Sequence, residues 1–329
     1  MGKSSRTLAI AAAVSAAAFT AAADPAIIYD LGGKFDKSFN ESAFRGAETW
    51  KEKSGGEYRE IELQSQAQRE QAIRRLAEAG NNPVVMTGFA FAAALSSVAP
   101  EFPDTKFAII DMVVDEPNVR SVVFKEHEGS FLVGLVAGLT TESNVVGFVG
   151  GMDIPLIRRF ACGYVQGVKA ANADIRIIQN MTGNEPSAWN DPVKGAELTR
   201  AQIAEGADIV YHAAGGTGVG VLQAAADAGI LGIGVDANQN HLHPGSVLTS
   251  MLKRVDLAVE EAFSGGGDLQ TGIVVLGLAE DGVGYALDEN NASLISAEMK
   301  STVDDYRSKI MSGEIAVHDY TMDDSCPQS

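Results

Sequence analysis

Short apolar runs rich in β-branched residues alternate along the chain with longer stretches of helical periodicity. The runs at 26–31 and 145–149 each lead into a glycine pair. The same order of runs then continues in both halves, at 57–63, 84–87, 107–111 and 119–124, and again at 174–181, 208–211, 232–236 and 247–252. Alternation of buried strands with helices is typical of parallel sheets built from βαβ units. The pattern predicts an α/β protein with two similar, Rossmann-like lobes and a cleft between them.

The helical stretches between these runs repeat as well. The first run leads to Phe39 and Gly46, and its counterpart in the second half leads to Phe160 and Gly167. Helices are predicted at 42–53, 66–79, 90–99, 128–139, 155–172, 192–205, 219–228, 255–263 and 295–311, with a further strand at 271–276.

The order of the elements indicates that the chain crosses between the lobes more than once. We assign 24–133 and 256–290 to the first lobe, and 134–255 and 291–329 to the second. Several crossings make a multi-strand hinge, and such a hinge allows two lobes to close around a ligand. The chain after Asp319 is expected to be loosely ordered.

The N-terminus has the pattern of a secretory signal peptide. Lys3 and Arg6 precede an apolar stretch at 8–19, and small residues follow at 21–23. This arrangement predicts a signal peptide at 1–23 with cleavage before Asp24. The alternative is an uncleaved anchor, but the apolar stretch is shorter than the roughly 20 residues that a membrane span needs. We therefore expect an exported protein without direct membrane insertion.

The charge of the chain excludes some partners. The net charge is −18, and loss of the two basic residues of the signal peptide would bring it to −20. A strongly acidic surface repels nucleic-acid phosphates and anionic lipids. No nucleic-acid partner is expected.

The chain has two cysteines, Cys162 and Cys326. In an oxidising compartment they could form a disulfide that ties the tail to the second lobe. The alternative is that Cys162 is a small buried apolar residue on a helix. Two cysteines do not make a thiolate metal site, and the sequence predicts no cofactor and no metal.

Acidic side chains stand where predicted strands end. Asp30, Asp111 and Asp236 occupy such positions, and ligands of open parallel sheets bind beyond the carboxyl ends of the strands. Carboxylates accept hydrogen bonds from hydroxyl and amine donors, and aromatic faces stack on planar rings. With the candidate rings of Phe39 and Tyr211, these residues favour a planar, uncharged ligand rich in donors, such as a nucleoside.

Each of these residues also has a structural interpretation. An aspartate at a strand end is often a helix N-cap, and phenylalanine is common in cores. Trp189 could face the cleft or pack against the helix that begins at Pro192.

Catalytic and phosphate-binding motifs are missing from the sequence. The glycine run at 215–218 opens a predicted helix, whose amides could hold a ligand oxygen, but it lacks the lysine of a P-loop. No Gly-x-Ser-x-Gly nucleophile motif occurs, and no Gly-x-Gly-x-x-Gly follows the first strand. These absences argue against a hydrolase and a nicotinamide dehydrogenase.

The run DLGGKFDKSFN, from Asp30 to Asn40, resembles the opening motif of the basic membrane protein family. Its members are PnrA-like substrate-binding proteins of ABC importers. The resemblance continues through matching segments at 128–134, 146–151, 189–192, 213–218 and 234–239. It covers nearly the whole mature chain, from residue 26 to about residue 310.

The resemblance implies a type I periplasmic binding fold and capture of a purine nucleoside. It implies that Phe39 stacks on the base and Tyr211 closes on its other face. Asp30 and Asn40 would bond the base edge. Asp236 and Lys253 would hold the ribose hydroxyls, with the amides around Gly216 near them. Asp111 would lie at the cleft floor.

The sequence therefore predicts a non-enzymatic periplasmic binding protein, expected to be a monomer. It would deliver adenosine, guanosine or inosine to the membrane permease of an ABC importer. Many members of the family are lipoproteins, whereas no cysteine stands near the predicted cleavage point, which implies a free periplasmic protein. The alternatives are a sugar or another small polar metabolite in the same cleft, a nucleoside hydrolase using Asp30 or Asp236, and a role in sensing.

Overall fold

The computed structural model describes residues 23–327, so all but the last residue of the predicted signal peptide lies outside the described residues. The strands are β1 (Ala26–Tyr29), β2 (Arg59–Glu62), β3 (Val84–Thr87), β4 (Phe107–Ile110), β5 (Val119–Phe124), β6 (Val145–Met152), β7 (Arg176–Gly183), β8 (Ile209–Ala213), β9 (Leu231–Asp236), β10 (Val247–Lys253), β11 (Gly272–Leu276) and β12 (Val283–Tyr285). The helices are α1 (Phe39–Ser54), α2 (Arg69–Glu78), α3 (Ala92–Val98), α4 (Glu126–Thr140), α5 (Pro155–Ala171), α6 (Pro192–Ala204), α7 (Gly218–Asp227), α8 (Val255–Gly265) and α9 (Ala297–Met311).

The strands form two six-stranded sheets, one in each lobe. The first has the order β11-β5-β4-β3-β1-β2 and the second the order β12-β10-β9-β8-β6-β7. Among residues 23–327, all strand pairings are parallel except that of β10 with β12. The central strands are buried on both faces because helices cover both sides of each sheet. The two-lobed α/β fold predicted from the apolar runs is confirmed.

Within the described residues, three connections join the two lobes. The chain passes from β5 to α4, from β10 to α8, and from β11 to β12. The Lys125 amide donates to the Leu276 carbonyl at 2.9 Å, and the Arg254 amide donates to the Gly282 carbonyl at 2.9 Å. These bonds tie the crossings to one another and form the hinge.

The short strand β12 was not predicted from the sequence. It pairs with β10 and so lies in the second sheet, whereas the lobe limits expected from the sequence assign 256–290 to the first lobe. The division of the chain between the lobes otherwise stays a prediction.

Helices α4 and α5 pack unusually closely. An added Cβ at Gly163 would lie 2.3 Å from the His127 carbonyl oxygen, and one at Gly167 would lie 2.0 Å from the Phe131 carbonyl oxygen. Glycine at these two positions lets the helix backbones touch. The close crossing fixes the position of α5, which borders the cleft.

The C-terminal tail is anchored to α5. Cys162 and Cys326 form a disulfide with a Cα–Cα distance of 5.6 Å, so of the two interpretations of these cysteines the disulfide is confirmed. The Gln166 side chain exchanges two hydrogen bonds with the backbone of His318, at 2.8 and 3.0 Å. A short 3₁₀ turn follows at Tyr320–Met322, so the expectation of a loosely ordered tail is wrong for this segment.

No helix within residues 23–327 combines the length and the apolar character that a bilayer crossing requires.

Candidate ligand-binding cleft

A cleft lies between the lobes, beyond the carboxyl ends of the central strands of both sheets. Both lobes line it, with these side chains among them: Asp30, Phe39, Phe89, Asp111, Phe160, Trp189, Asp236 and Lys253.

The first lobe contributes two rings to the cleft, Phe89 and Phe39, and Phe39 is the first residue of α1. Asp36 fixes this helix start, because its carboxylate accepts hydrogen bonds from the amides of Ser38, Asn40 and Glu41 at 2.8–3.0 Å. Burial raises the pKa of Asp36 to about 6. The ring of Phe39 lies 5.2 Å from Lys253 Nζ at the cleft floor.

The aromatic walls of the second lobe are Phe160 and Trp189. Phe160 projects from α5, and its ring lies 5.5 Å from Lys253 Nζ. Trp189 covers Gly151, where an added Cβ would lie 2.1 Å from the indole ring. Sequence reasoning missed Phe160, although the internal repeat pairs it with Phe39. Trp189 faces the cleft, one of the two interpretations left open by the sequence.

Tyr211 lies away from the cleft, and the expectation that it closes on the ligand is wrong for this structure. The side chain is fully buried in the core of the second lobe, against the rings of Phe148 and Tyr164 at 5.4 and 5.1 Å. Its hydroxyl lies 3.2 Å from Ser130 Oγ. Strand β8 continues for two residues beyond Tyr211, so Ala213 borders the cleft instead.

The floor of the cleft is a buried charge cluster around Lys253. Its Nζ lies 2.7 Å from the Asp111 carboxylate and 3.0 Å from Glu126 Oε1, and only 2% of the lysine side chain is exposed. Burial acts to lower the pKa of Lys253, but the carboxylates of Asp111, Glu126 and Asp236 outweigh it and raise that pKa above its usual range. The surrounding carboxylates therefore favour the charged form of the lysine at the floor.

Burial raises the pKa of Asp111 to about 6 and that of Asp236 to about 6, and in both cases Lys253 opposes the rise. Both residues have left-handed backbones, with φ of 73° and 64°. Asp111 directly follows β4, and Asp236 is the last residue of β9, the equivalent strand of the second lobe. Aspartate tolerates this conformation better than most residues. The two halves of the molecule thus present matching carboxylates beside one lysine.

Asp30 and Asn40 border the cleft, but their side chains form hydrogen bonds with other residues of the first lobe. Arg69, which sequence reasoning missed, donates to Asp30 Oδ1 at 2.6 Å. The Asn40 amide donates to the carbonyls of Asp30 and Gly33 at 3.2 Å, and its oxygen accepts from Thr87 at 3.0 Å. Asn40 therefore braces the loop after β1, and Asp30 keeps one oxygen free of Arg69.

Contacts across the cleft hold the lobes together. The Ser38 hydroxyl donates to Asp236 Oδ2, and Gln239 Nε2 donates to the Lys37 carbonyl at 2.9 Å. Gly215 lines the cleft, whereas Gly216 does not line it, although an added Cβ there would be 3.7 Å from Asp36 Cβ of the other lobe. The structure therefore holds the lobes in contact around the site.

Metal chemistry has no support in the part of the chain that the structure describes. No group of three or more His, Cys, Asp or Glu side chains there is arranged to hold a metal ion.

The fold and this interlobe cleft define a solute-binding protein of the type I class. Residues 26–321 match the family model described as ABC transporter substrate-binding protein PnrA-like, and the chain belongs to that family. The resemblance of the DLGGKFDKSFN segment to the family's opening motif is thereby confirmed.

Several known proteins resemble the chain over most of its length. The CD4+ T-cell-stimulating antigen of Listeria monocytogenes is 34% identical over 319 residues, which cover 89% of this chain and 87% of that protein. The ABC transporter nucleoside-binding protein BmpA of Lactococcus lactis is 32% identical over 323 residues, covering 89% and 88%. A crystal structure of an ABC transporter solute-binding protein from Aeropyrum pernix has a TM-score of 0.82 at 30% identity, covering 89% and 92%.

Membership of this family establishes the general role of the chain. It is a non-enzymatic solute-binding protein of an ABC transporter, with a small solute as ligand and a membrane permease as partner.

Proposed function

We propose that the protein captures a purine nucleoside in the periplasm and delivers it to its permease. The observation that carries this proposal is the combination of aromatic rings from both lobes with a carboxylate-rich floor in one cleft. A relative at 32% identity bears the name nucleoside-binding protein. A planar base fits between rings, and ribose hydroxyls are donors suited to carboxylates.

The walls of the cleft account for recognition of the base. Phe39 stacks on one face, and Phe160 or Trp189 replaces Tyr211 as the ring on the opposite side. Stacking of a base on an aromatic side chain contributes about 1–3 kcal/mol in nucleic-acid complexes. The free oxygen of Asp30 accepts from a donor on the base edge.

The floor accounts for recognition of the ribose. Asp236 and Asp111 accept hydrogen bonds from hydroxyl groups, and Lys253 can donate to a hydroxyl oxygen. Hydrogen bonds to charged groups contribute about 1.5–3 kcal/mol each. The floor has no uncompensated positive charge to attract a phosphate, because three carboxylates face the lysine. The proposal is therefore a nucleoside and not a nucleotide.

Titration calorimetry with adenosine, guanosine, inosine and ribose tests the function. We expect at least one nucleoside to bind with micromolar or tighter affinity, about −8 kcal/mol. Binding of ribose without binding of any nucleoside would show that the sugar alternative is right. Release of free hypoxanthine from inosine during the same incubation would contradict a pure binding role.

Phe39→Ala is expected to weaken nucleoside binding by about 1–3 kcal/mol because one stacking face is lost. The matched control is Phe35→Ala, in the same segment, where the ring is 60% exposed and outside the cleft. The control should bind as the unmodified protein does. Calorimetry gives the affinities. If ligand-free Phe39→Ala loses as much free energy of unfolding as it loses free energy of binding, Phe39 is a core residue instead.

Asp236→Asn is expected to weaken binding of inosine more than binding of hypoxanthine, because the base alone has no ribose hydroxyls. The substitution keeps the shape of the side chain and removes its charge. The loss of one charged hydrogen bond corresponds to about 1.5–3 kcal/mol for the nucleoside. Equal losses for both ligands, measured by calorimetry, would refute the assignment of Asp236 to the ribose.

A further inference from the structure

A chain of buried and half-buried charges connects the cleft floor to the C-terminal tail. Lys253 faces Glu126, whose second oxygen lies 3.0 Å from Arg159 Nη1. Arg159 Nε in turn donates to Asp319 Oδ1 at 2.8 Å. The charges alternate in sign along this path, so each group holds the next in place.

Arg159 is the central link, and the tail fixes its orientation. Its Nη1, which contacts Glu126, also donates to the Phe124 carbonyl at 2.9 Å, and its Nη2 donates to Thr321 Oγ1 at 2.6 Å. Two of its partners, Asp319 and Thr321, belong to the tail. Without the tail, the guanidinium keeps Glu126 and the Phe124 carbonyl but loses both of its bonds to Asp319 and Thr321.

The tail is held where these contacts require it. Cys162 forms the disulfide with Cys326, and Gln166 binds the backbone of His318. Arg159, Cys162 and Gln166 have the spacing i, i+3 and i+7, so they share one face of α5. The tail therefore packs along this face.

A different set of α5 residues borders the cleft. Leu156, Ile157 and Phe160 line it. One helix thus connects the tail with the ligand site in two ways, through the position of Phe160 and through the path from Arg159 to Lys253.

We propose that the disulfide-anchored tail is a positioning element for the cleft, and that Arg159 and Asp319 set the placement of Lys253 through Glu126. None of the tail residues 319–327 lines the cleft. When the tail is displaced, Arg159 is held by fewer bonds and moves relative to Glu126, and Glu126 and Lys253 then shift from their places beside Asp111. Substitutions in such a connecting network change coupling by about 0.5–2 kcal/mol, which corresponds to about 2- to 30-fold in an equilibrium.

The test compares Asp319→Asn with Asp153→Asn. Asp153 pairs with Arg158, the residue beside Arg159 on the same helix, at 2.6 Å, and this exposed pair leads to no cleft residue. The first readout is the rate at which an activated ester acetylates Lys253 in the folded, ligand-free protein, measured by peptide mass spectrometry. We expect Asp319→Asn to raise this rate about 2- to 30-fold, Asp153→Asn to leave it unchanged, and Asp319→Glu to restore part of the protection.

A second variant covers the case in which Asp319→Asn fails to fold. The double substitution Cys162→Ser with Cys326→Ser releases the tail without changing a charge, and it should raise Lys253 acetylation in the same way. Acetylation at the rate of the unmodified protein in the folded variants would overturn the proposal. An equal rise in Asp153→Asn would also overturn it, because the effect would then be general loosening of α5.

The second readout is inosine affinity by calorimetry, and only this arm rests on the proposed function. We expect the tail variants to bind inosine about 2- to 30-fold more weakly than Asp153→Asn. If the unmodified protein binds no nucleoside, the proposed function fails, while the acetylation rates still decide the role of the tail.

Discussion

Lys253→Met is expected to destabilise the ligand-free protein by about 3–5 kcal/mol at pH 8, because removing one partner of a buried ion pair leaves uncompensated charge. The substitution leaves the carboxylates of Asp111, Glu126 and Asp236 together in a buried site without the cation that faces them. Methionine fills similar space, so the lost energy reports charge and not volume. Urea denaturation followed by circular dichroism measures the difference.

The matched control is Lys309→Met, which removes an exposed ion pair with Asp305 on α9. Exposed pairs contribute little to stability because water screens them, so the control should unfold almost as the unmodified protein does. Similar losses in both variants would mean that the buried cluster contributes no more than a surface pair.

The loss of stability caused by Lys253→Met should become smaller as the pH is lowered. The pKa values of Asp111 and Asp236 are about 6 in the folded protein, against a usual value of 3.8. The folded state therefore binds more protons than the unfolded state between these values, and this contribution to stability is lost as the pH rises through 6. Without the lysine both pKa values rise further, so the deficit should be largest above neutral pH and smaller near pH 5. A deficit independent of pH would contradict the charge explanation.

Gly167→Ala is expected to destabilise the protein at the upper end of the range for overpacking, about 1–3 kcal/mol. Its Cβ would lie 2.0 Å from the Phe131 carbonyl oxygen and 2.8 Å from the Leu135 amide nitrogen. Both atoms belong to the backbone of α4, which cannot move aside as a flexible side chain does. Helix α5 must shift, and Phe160 shifts with it, so nucleoside affinity should fall as well.

Gly284→Ala is the control, since nothing lies within 4 Å of an added Cβ at that position. Thermal unfolding of both variants, with and without inosine, separates loss of stability from loss of binding. If Gly167→Ala has the same melting temperature as Gly284→Ala, α4 and α5 adjust to the extra methyl group without loss of stability.

The arrangement of the sheets could be predicted because parallel strands buried on both faces give continuous apolar runs. The same logic placed Asp111 and Asp236 at the cleft, since the carboxyl ends of parallel strands share one edge. Strand β12 was missed because it has three residues, one of them glycine, and too little pattern to distinguish it from a loop.

Two features of the site depended on information that the local sequence does not carry. The side chain of Tyr211 enters the core because β8 runs two residues further than its apolar run indicates. Glu126 and Arg159 look like ordinary exposed helical residues in the sequence, and only packing of α4 against α5 brings them together. Phe160 was within reach, since the internal repeat aligns it with Phe39.

The left-handed backbones of Asp111 and Asp236 limit how this protein could be re-engineered for another solute. Glycine, asparagine and aspartate adopt such backbones readily, whereas longer side chains are strained there. Either aspartate could therefore be replaced by asparagine, which removes its charge, but replacement by the longer glutamate would strain the backbone. New selectivity would have to come from the rings of the two lobes.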